Sequence, residues 1–302
     1  MNKPAQKRAS QRLRRRTGMV ISYTLRGVLT LVFVLPIAFM LVSSLKGSDA
    51  IFADLRSWRA FLPVGDLSLE NIRYVFARGN FQRYAVNSVI ITLVTATLSV
   101  MVNSMSAFAL ARLNWPGKRL VFAFVIAILI IPFEAIAIPL LMLVSEVPGL
   151  HIGLDGIFMT DSMFNTHLVQ ILPFVASPFT LFLFSQFFRD LPTELDEAAR
   201  LDGATAFQIY WKIVMPLSKP VIATVAILQF LTMWNQYLWP IMVVQSADVR
   251  PVMPGIQEFF NRTPAWGQIM AYASLVTLPV LAIFVMFQRW FIQSVASSGV
   301  KG

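Results

Sequence analysis

Residues 189–219 read RDLPTELDEAARLDGATAFQIYWKIVMPLSK, and this stretch decides how the rest of the chain is interpreted. It is polar and rich in charge, whereas long apolar runs lie on both sides of it. Glycine follows the charged part at Gly203, and Pro216 comes near the end. The pattern predicts two short helices joined by a turn, set between two apolar segments.

The first half of this stretch has the features of a helix. Acidic residues in its first turn suit the positive end of the helix dipole, and Arg200 suits the other end. The spacing of Leu195, Ala198 and Ala199 predicts one narrow apolar face. Gly203 is well placed to end the helix in a left-handed conformation.

A second helix is predicted to begin at Thr205. Gln208 lies three residues later, as a capping box requires, and Pro216 is expected to end the helix. The two helices would lie across one surface of a membrane. An ordinary amphipathic loop is the alternative for this hairpin.

The composition of the whole chain indicates a membrane protein. Of its 302 residues 57% are hydrophobic and 13% are charged, and the mean hydropathy is +0.67. A membrane-crossing helix needs about 20 apolar residues. Six stretches satisfy this requirement, namely 27–45, 84–111, 120–145, 168–188, 220–245 and 267–288. We therefore predict an all-α membrane protein with six transmembrane helices.

The distribution of positive charge predicts the orientation. Most of the 25 Lys and Arg residues lie in an N-terminal arm (1–26), in two segments between spans (112–119 and 189–219), and in a tail (291–302). Cytoplasmic segments retain such charge, so both termini and residues 189–219 are predicted to be cytoplasmic, with 27–290 as the transmembrane domain.

Several functions are disfavoured by what the chain contains. A basic arm can bind nucleic acid or anionic lipid, but ahead of a first span it is read as a topology anchor. The apolar run after it is longer than that of a signal peptide, so we expect an uncleaved span. The chain has no cysteine and two histidines, which argues against a metal site. It also lacks the G-x-x-x-x-G-K-[ST] phosphate loop of ATPases.

Residues 197–217 resemble the signature loop of permease subunits of bacterial binding-protein-dependent ABC importers. The resemblance rests on Glu-Ala-Ala, Asp-Gly-Ala, an aromatic residue and a closing proline at the family spacing, although Met215 stands where the family has Leu. In that family this loop is the coupling helix, which sits in a cleft of the ATPase subunit. The resemblance assigns that role to Glu197, Ala198, Ala199, Asp202, Gly203, Ala204, Phe207, Ile213 and Pro216.

Further stretches resemble the carbohydrate branch of this family, of the maltose type. They are Ser43-Ser44-Leu45-Lys46, Asn87-Ser88, residues 107–112, Ile138-Pro139-Leu140, Trp234-Asn235 and the tail 299–302. The resemblance implies a non-catalytic subunit in a bacterial inner membrane. Its partners would be a second permease, two ATPase subunits that bind ATP and Mg, and an extracytoplasmic solute-binding protein. This chain would bind no cofactor. A disaccharide or oligosaccharide is the expected substrate, with glycerol-3-phosphate or glycerophosphodiesters as the alternative.

Polar residues within the apolar stretches are candidates for the substrate path. Glu134 would lie about 21 Å along a continuous third helix, in its outer third, where it could accept a sugar hydroxyl or instead bind a partner helix. Gln229, Trp234, Asn235 and Tyr237 combine amides with aromatic faces that can stack on a sugar ring. Interfacial anchoring or packing is the alternative for these four.

Two other functions remain open from the residues alone. A secondary carrier would use Glu134 as a proton site but would leave residues 189–219 unexplained. A membrane-embedded enzyme is disfavoured because the apolar stretches contain no His, Cys or paired carboxylates. We therefore predict the importer permease.

Overall fold

The computed structural model describes residues 3–153, 156–260 and 264–298. The side chains of the basic arm up to residue 17, and the tail motif 299–302, lie outside the described part. Helices dominate it. Their bounds are α1 Lys3–Ser43, α2 Ser48–Asp54, α3 Glu70–Arg78, α4 Phe81–Arg112, α5 Lys118–Leu129, α6 Phe133–Glu146, α7 His167–Val175, α8 Pro178–Asp190, α9 Glu194–Leu201, α10 Ala206–Ile209, α11 Met215–Leu217, α12 Lys219–Trp234, α13 Leu238–Val243, α14 Val252–Gly255 and α15 Trp266–Ser298. Short 3₁₀ turns lie at Trp58–Phe61 and Ile256–Phe259.

The all-α prediction is wrong in one place. Strands β1 (Gly149–Gly153) and β2 (Gly156–Thr160) pair antiparallel, with Leu150 opposite Met159. Gly156 has a φ of 115°, which an L side chain rarely adopts, and this lets the chain reverse direction in a short hairpin.

Four helices of the described part are long and apolar enough to cross a membrane, and the number rises to six if two bent helix pairs count as one span each. The four lie at Gly18–Ser43, Phe81–Arg112, His167–Asp190 and Trp266–Phe287. They coincide with the first, second, fourth and sixth predicted spans.

The third predicted span is not one continuous helix. α5 and α6 meet at an angle of 104°, because Pro132 caps the start of α6 and cannot donate a backbone hydrogen bond to the preceding turn. The estimate that Glu134 lies about 21 Å along a straight helix is therefore wrong. Glu134 instead lies in the first turn of a new helix.

The fifth predicted span is also interrupted. α12 ends at Trp234, where the Asn235 side chain donates to the Leu231 carbonyl oxygen at 2.7 Å, and α13 begins at Leu238. At its N-terminal end α12 meets the helical segment 206–217 at 79°. The prediction of a single helix over 220–245 is thus wrong in its second half.

The described residues form two compact units, of which one comprises Met1–Gly79 and Glu258–Leu275. Lys46 is only 2% exposed in this unit. Its Nζ donates to Asp54 Oδ2 at 2.8 Å and to the Arg59 carbonyl oxygen at 2.7 Å. This buried cation ties the segment after α1 to α2 and the turn that follows.

The same unit packs Asn71 of α3 against the end of α1. Asn71 Nδ2 donates to the carbonyl oxygens of Ser44 at 3.1 Å and Lys46 at 2.9 Å. A Cβ at Gly267 of α15 would lie 2.6 Å from Asn71 Nδ2, so only glycine fits there. The Ser43-Ser44-Leu45-Lys46 motif is therefore part of a packed corner.

The second unit comprises Asn80–Gln257 and Val276–Gly302. α4 is its central helix, packed against α7, α8 and α12. At one end of α4 a core of buried apolar side chains includes Phe108, Phe184 and Phe188. At the other end the Asn87 side chain donates to the carbonyl oxygens of Asp248 and Arg250, which holds the loop before α14.

The break between α7 and α8 is held by Asn103 of α4. Its Nδ2 donates to the Val175 carbonyl oxygen at 2.8 Å, and its Oδ1 accepts from the Ser177 backbone N–H at 3.0 Å. These bonds satisfy backbone groups that the interrupted helix leaves unpaired. Asn103 thus bonds between helices, as small polar residues in membrane spans often do.

Candidate functional site

Helix α9 forms as the charge pattern predicts. Glu194, Asp196 and Glu197 occupy its first turn and Arg200 its last. The helix ends in a Schellman motif, in which the Ala204 N–H donates to the Ala199 carbonyl oxygen at 2.9 Å.

Gly203 makes this helix end possible. Its φ is +81°, in the left-handed region, and its N–H donates to the Arg200 carbonyl oxygen at 3.0 Å. Nothing lies within 4 Å of a Cβ built on it. The requirement for glycine is therefore set by the backbone conformation and not by crowding.

The orientation of α9 differs from the predicted apolar face. Only Ala199 is buried, whereas Leu195 is 41% exposed and Ala198 is also exposed. The other buried residue of α9 is Asp196, because a buried cation lies opposite it. Arg112 Nη1 of α4 is 3.5 Å from Asp196 Oδ2.

Arg112 is the anchor between this loop and the transmembrane helices. Its side chain is 3% exposed and that of Asp196 is 9% exposed. Arg112 Nη2 also donates to the Leu191 carbonyl oxygen at 2.8 Å, just before α9. The last residue of α4 thus holds one residue of α9 and one residue of the segment before it.

The second half of the loop is anchored separately. A capping box forms at Thr205 and Gln208, as predicted. A π-helical turn, Tyr210–Val214, follows, and the Tyr210 hydroxyl lies 2.8 Å from Ser104 Oγ of α4. The Tyr210 ring packs on Phe108 at 5.5 Å between centroids. The helical segment ends at Leu217, one residue beyond the predicted Pro216.

The loop presents one exposed face. Leu201 is 90% exposed, Phe207 61% and Trp211 57%. Of the nine residues predicted for this site, six are exposed, Ala199 is buried, and Ala204 and Ile213 are half-buried. The exposed six are Glu197, Ala198, Asp202, Gly203, Phe207 and Pro216. Large exposed apolar side chains next to polar ones are typical of a protein interaction surface.

The five predicted path residues differ in exposure, two of them being buried and three exposed. Gln229 is 7% exposed and donates to the Phe174 carbonyl oxygen at 3.1 Å. Trp234 is 3% exposed and its Nε1 donates to the Val276 carbonyl oxygen at 3.2 Å. Both side chains therefore bridge helices, which is the packing alternative.

The other three path candidates are exposed. The Tyr237 hydroxyl accepts from Gln257 Nε2 at 2.8 Å, whereas Asn235 bonds within its own helix end. In the described part of the chain, Glu134 has no hydrogen bond or ion pair with any of the other four. The side chains of Glu134, Asn235 and Tyr237 are therefore exposed and accessible to a solute.

A family comparison identifies the chain. Residues 103–297 match the family "Binding-protein-dependent transport system inner membrane component". The chain belongs to this family. It is accordingly a membrane-embedded permease subunit of an ABC importer, as the resemblance of residues 197–217 implied, and that stretch lies within the matched part.

Relatives align over nearly the full length of the permease. The arabinooligosaccharides transport system permease protein AraQ of Halalkalibacterium halodurans is 31% identical, over 96% of this chain and 100% of that one. The lactose transport system permease protein LacG of Rhizobium radiobacter is 29% identical, over 95% and 98%. The sn-glycerol-3-phosphate transport system permease protein UgpE of Yersinia enterocolitica is 30% identical, over 90% and 93%.

The fold of the permease is also similar to that of a solved importer. The crystal structure of a bacterial ABC transporter involved in the import of the acidic polysaccharide alginate contains a chain that matches 91% of the permease and 97% of its own length. The TM-score is 0.76 at 19% sequence identity, a likeness of fold.

The contacts that anchor the permease loop were not predicted. Arg112 was counted as topological charge and as part of the motif 107–112, and Asp196 as a helix-dipole acid. No sequence signal links two residues so far apart in the chain. The hydrogen bond between Tyr210 and Ser104 was likewise not predicted.

Proposed function

We propose that this permease moves a sugar from an extracytoplasmic binding protein to the cytoplasm by alternating access. A disaccharide or oligosaccharide is the proposed substrate class. Full-length similarity to AraQ and LacG, two proteins named for sugars, is the observation that carries the proposal. Substrate affinity in such systems rests largely with the binding protein, so the individual sugar is left open.

Glycerol-3-phosphate or its diesters are the second candidate. The similarity to UgpE, 30% over 90% of the chain, favours it. None of the six predicted spans contains a Lys or Arg, and Arg112 at the end of α4 is already paired with Asp196. A phosphorylated solute would benefit from a free cation along its path, so we favour the neutral sugar.

We further propose six spans in a bacterial inner membrane with both termini in the cytoplasm. Helices α5 and α6 would then form one span and α12 with α13 another, with residues 206–217 outside the spans. The arm 1–26 and tail 291–302 would flank the transmembrane domain 27–290. The eight Lys and Arg residues of the arm, which contains no acid, support this orientation.

The proposed partners are a second permease, two ATPase subunits and a solute-binding protein. ATP and Mg would bind to the ATPases, and this chain would be non-catalytic and hold no cofactor. The exposed face around Ala198, Leu201 and Phe207 supports an ATPase contact. A cavity of about 690 Å³ is lined by apolar side chains of α4, α12 and α15 and, at the loop, by Phe207 and Trp211. It supports a further apolar helix as neighbour, which would reach the edge of the loop.

Coupling would follow from rigid anchoring. Closure of the ATPases would push on the exposed face of α9, and the Arg112–Asp196 pair would transmit the movement to α4. Glu197, Ala198, Asp202 and Phe207 would contact the ATPase. Ala199, Ile213 and Pro216 would shape the segment behind them.

Affinity purification tests the proposal. The tagged permease is extracted from its host in mild detergent, and the accompanying proteins are identified by mass spectrometry. An ATPase and a second permease are expected. The accompanying binding protein is then titrated with lactose, arabino-oligosaccharides and glycerol-3-phosphate. Isolation without an ATPase, with transport retained after reconstitution, would contradict the importer and favour a secondary carrier.

A further inference from the structure

A second cavity differs in chemistry from the apolar cavity between α4, α12 and α15. It measures about 490 Å³ and opens where α4 ends, α5 begins and α8 ends. Three of its six lining residues are cations, and the remaining three are apolar. The lining residues are Leu110, Ala111, Lys118, Arg119, Phe122 and Arg189.

The three cations have no carboxylate partner in the described part of the chain. Lys118 Nζ donates only to neutral groups, the Leu113 carbonyl oxygen at 2.9 Å and Asn114 Oδ1 at 3.0 Å. The first turn of α5 contains no acid. Asp190, next to Arg189, is exposed and forms no ion pair with any of them. Three like charges around one cavity repel one another, and an anion between them would relieve that repulsion.

Aromatic packing orients one of these cations. The Arg189 guanidinium lies 4.4 Å from the centroid of the Phe122 ring. Phe122 in turn stacks on Phe182 of α8 at 6.5 Å, which holds α5 beside α8. Arg189 is therefore directed to the same cavity as Lys118 and Arg119.

The cavity combines a charged rim with an apolar wall. Beyond Arg119 the sequence of α5 continues as LVFAFVIAIL, so the cations lie at the end of an apolar helix. A phospholipid matches both parts, since its phosphate would lie among the cations and its glycerol and upper acyl chain along Phe122 and Leu110. A free phosphate ion or an acidic peptide would use the cations and leave the wall uncovered.

We propose that this cavity binds the headgroup of an anionic phospholipid from the inner leaflet. The proposal rests on the cytoplasmic orientation given under the proposed function. Ala111 directly precedes Arg112, and Arg189 lies two residues before Leu191, whose carbonyl oxygen accepts from Arg112. A bound headgroup thus bridges the end of α4, whose last residue holds α9, and the end of α8, after which the loop begins.

Native mass spectrometry of the purified importer complex tests this site. The complex is titrated in detergent with phosphatidylglycerol or with phosphatidylcholine, and bound lipid is counted. We expect the wild-type complex to bind phosphatidylglycerol in preference to phosphatidylcholine. This preference should fall about fivefold in Arg119→Gln and about fivefold again in Arg119→Gln/Arg189→Gln, because each basic residue contributes about 1 kcal/mol. Lys219→Gln, an exposed cation outside the cavity, is the matched control and leaves the preference unchanged.

Three results would overturn the proposal. The first is an unchanged lipid preference in the double variant. The second is displacement of the lipid by inorganic phosphate at equal concentration, which would assign the cations to a soluble anion. The third is loss of the ATPase subunits from a double variant that keeps the second permease, which would assign the cations to a protein contact.

The same spectra report subunit composition, so absence of an ATPase from the wild-type complex would contradict the importer and not the lipid site. Arg119 has no hydrogen bond or ion pair in the described part of the chain, so its single variant serves if the double variant does not assemble.

Discussion

Arg112 at the end of α4 and Asp196 in α9 form a buried ion pair, with Nη1 3.5 Å from Oδ2 and at least nine-tenths of each side chain buried. The pair joins a helix of the transmembrane domain to the loop that the family uses for coupling. Because the pair occupies the inward side of α9, the opposite side presents Ala198 and Leu201 to the exterior. One contact therefore accounts for both the anchoring and the orientation of α9.

The first prediction concerns this pair. Arg112→Met or Asp196→Leu alone leaves one buried charge without its partner, which typically destabilises a protein by about 3–5 kcal/mol. The double variant Arg112→Met/Asp196→Leu removes both charges, and we expect it to be closer to wild type than either single variant. Thermal unfolding in detergent and proteolysis within 189–219 measure the effect. Additive defects in the double variant would contradict a direct interaction.

The second prediction concerns the turn after α9. At the φ of Gly203 a non-glycine residue destabilises the turn by about 1–2 kcal/mol. The destabilisation is larger for a β-branched residue and smaller for Asn. Gly203→Val should therefore abolish uptake while the protein still inserts and is recovered in the membrane. Gly203→Asn, the matched control, should retain most of the uptake. Wild-type uptake by Gly203→Val would refute the coupling role of this turn.

The third prediction concerns Glu134. It is exposed in the first turn of α6 and has no hydrogen bond or ion pair in the described part of the chain, so its replacement removes no internal contact. If it meets the solute, Glu134→Gln lowers uptake without changing the amount of assembled complex. Gln229→Leu, by contrast, should reduce the recovery of folded protein, because Gln229 bonds to the Phe174 carbonyl oxygen. Normal uptake by Glu134→Gln would end its assignment to the substrate path.

The fourth prediction concerns acid stability of the unit that contains Lys46. The hydrogen bond from Lys46 holds the pKa of Asp54 below its ordinary value. A carboxyl with a lowered folded pKa stabilises the folded state fully above its ordinary pKa of about 3.9, and the contribution is lost as the pH falls through the folded pKa. The difference in thermal stability between wild type and Asp54→Asn should thus be constant from pH 7 to about 5 and shrink below about 4.

Asp49→Asn is the control for this measurement, because Asp49 is exposed and forms no ion pair in the described part of the chain. Its variant should follow the wild type at every pH. A difference for Asp54→Asn that grows on acidification would contradict the role of the Lys46–Asp54 pair.

Local features of the fold could be predicted because each carries its own signal. The Schellman ending at Gly203 and the capping box at Thr205 depend on residues within one turn of each other. The apolar runs of α1, α4 and α15 likewise indicate spans through composition alone. The assignment of the coupling-site residues to this segment stays a prediction.

Features that depend on direction or on distant residues were not predicted. Hydropathy registers the apolar character of 120–145 but not the 104° change of direction at Pro132. The spacing of Leu195, Ala198 and Ala199 favours an apolar inner face, yet Asp196 points inward because Arg112, from another helix, lies there. The two paired strands at 149–160 were not predicted.

The most direct test of the central claim uses the absence of cysteine from the native sequence. Ala198→Cys introduces a unique thiol on the exposed face of α9. Met159→Cys introduces one in the β1–β2 hairpin, at a residue that is 72% exposed. Each variant is labelled with a thiol-reactive photocrosslinker in native membranes and irradiated. We predict a crosslinked product with the ATPase subunit from Ala198→Cys and none from Met159→Cys. An ATPase product from neither variant, or equally from both, would contradict the assignment of this loop as the coupling site.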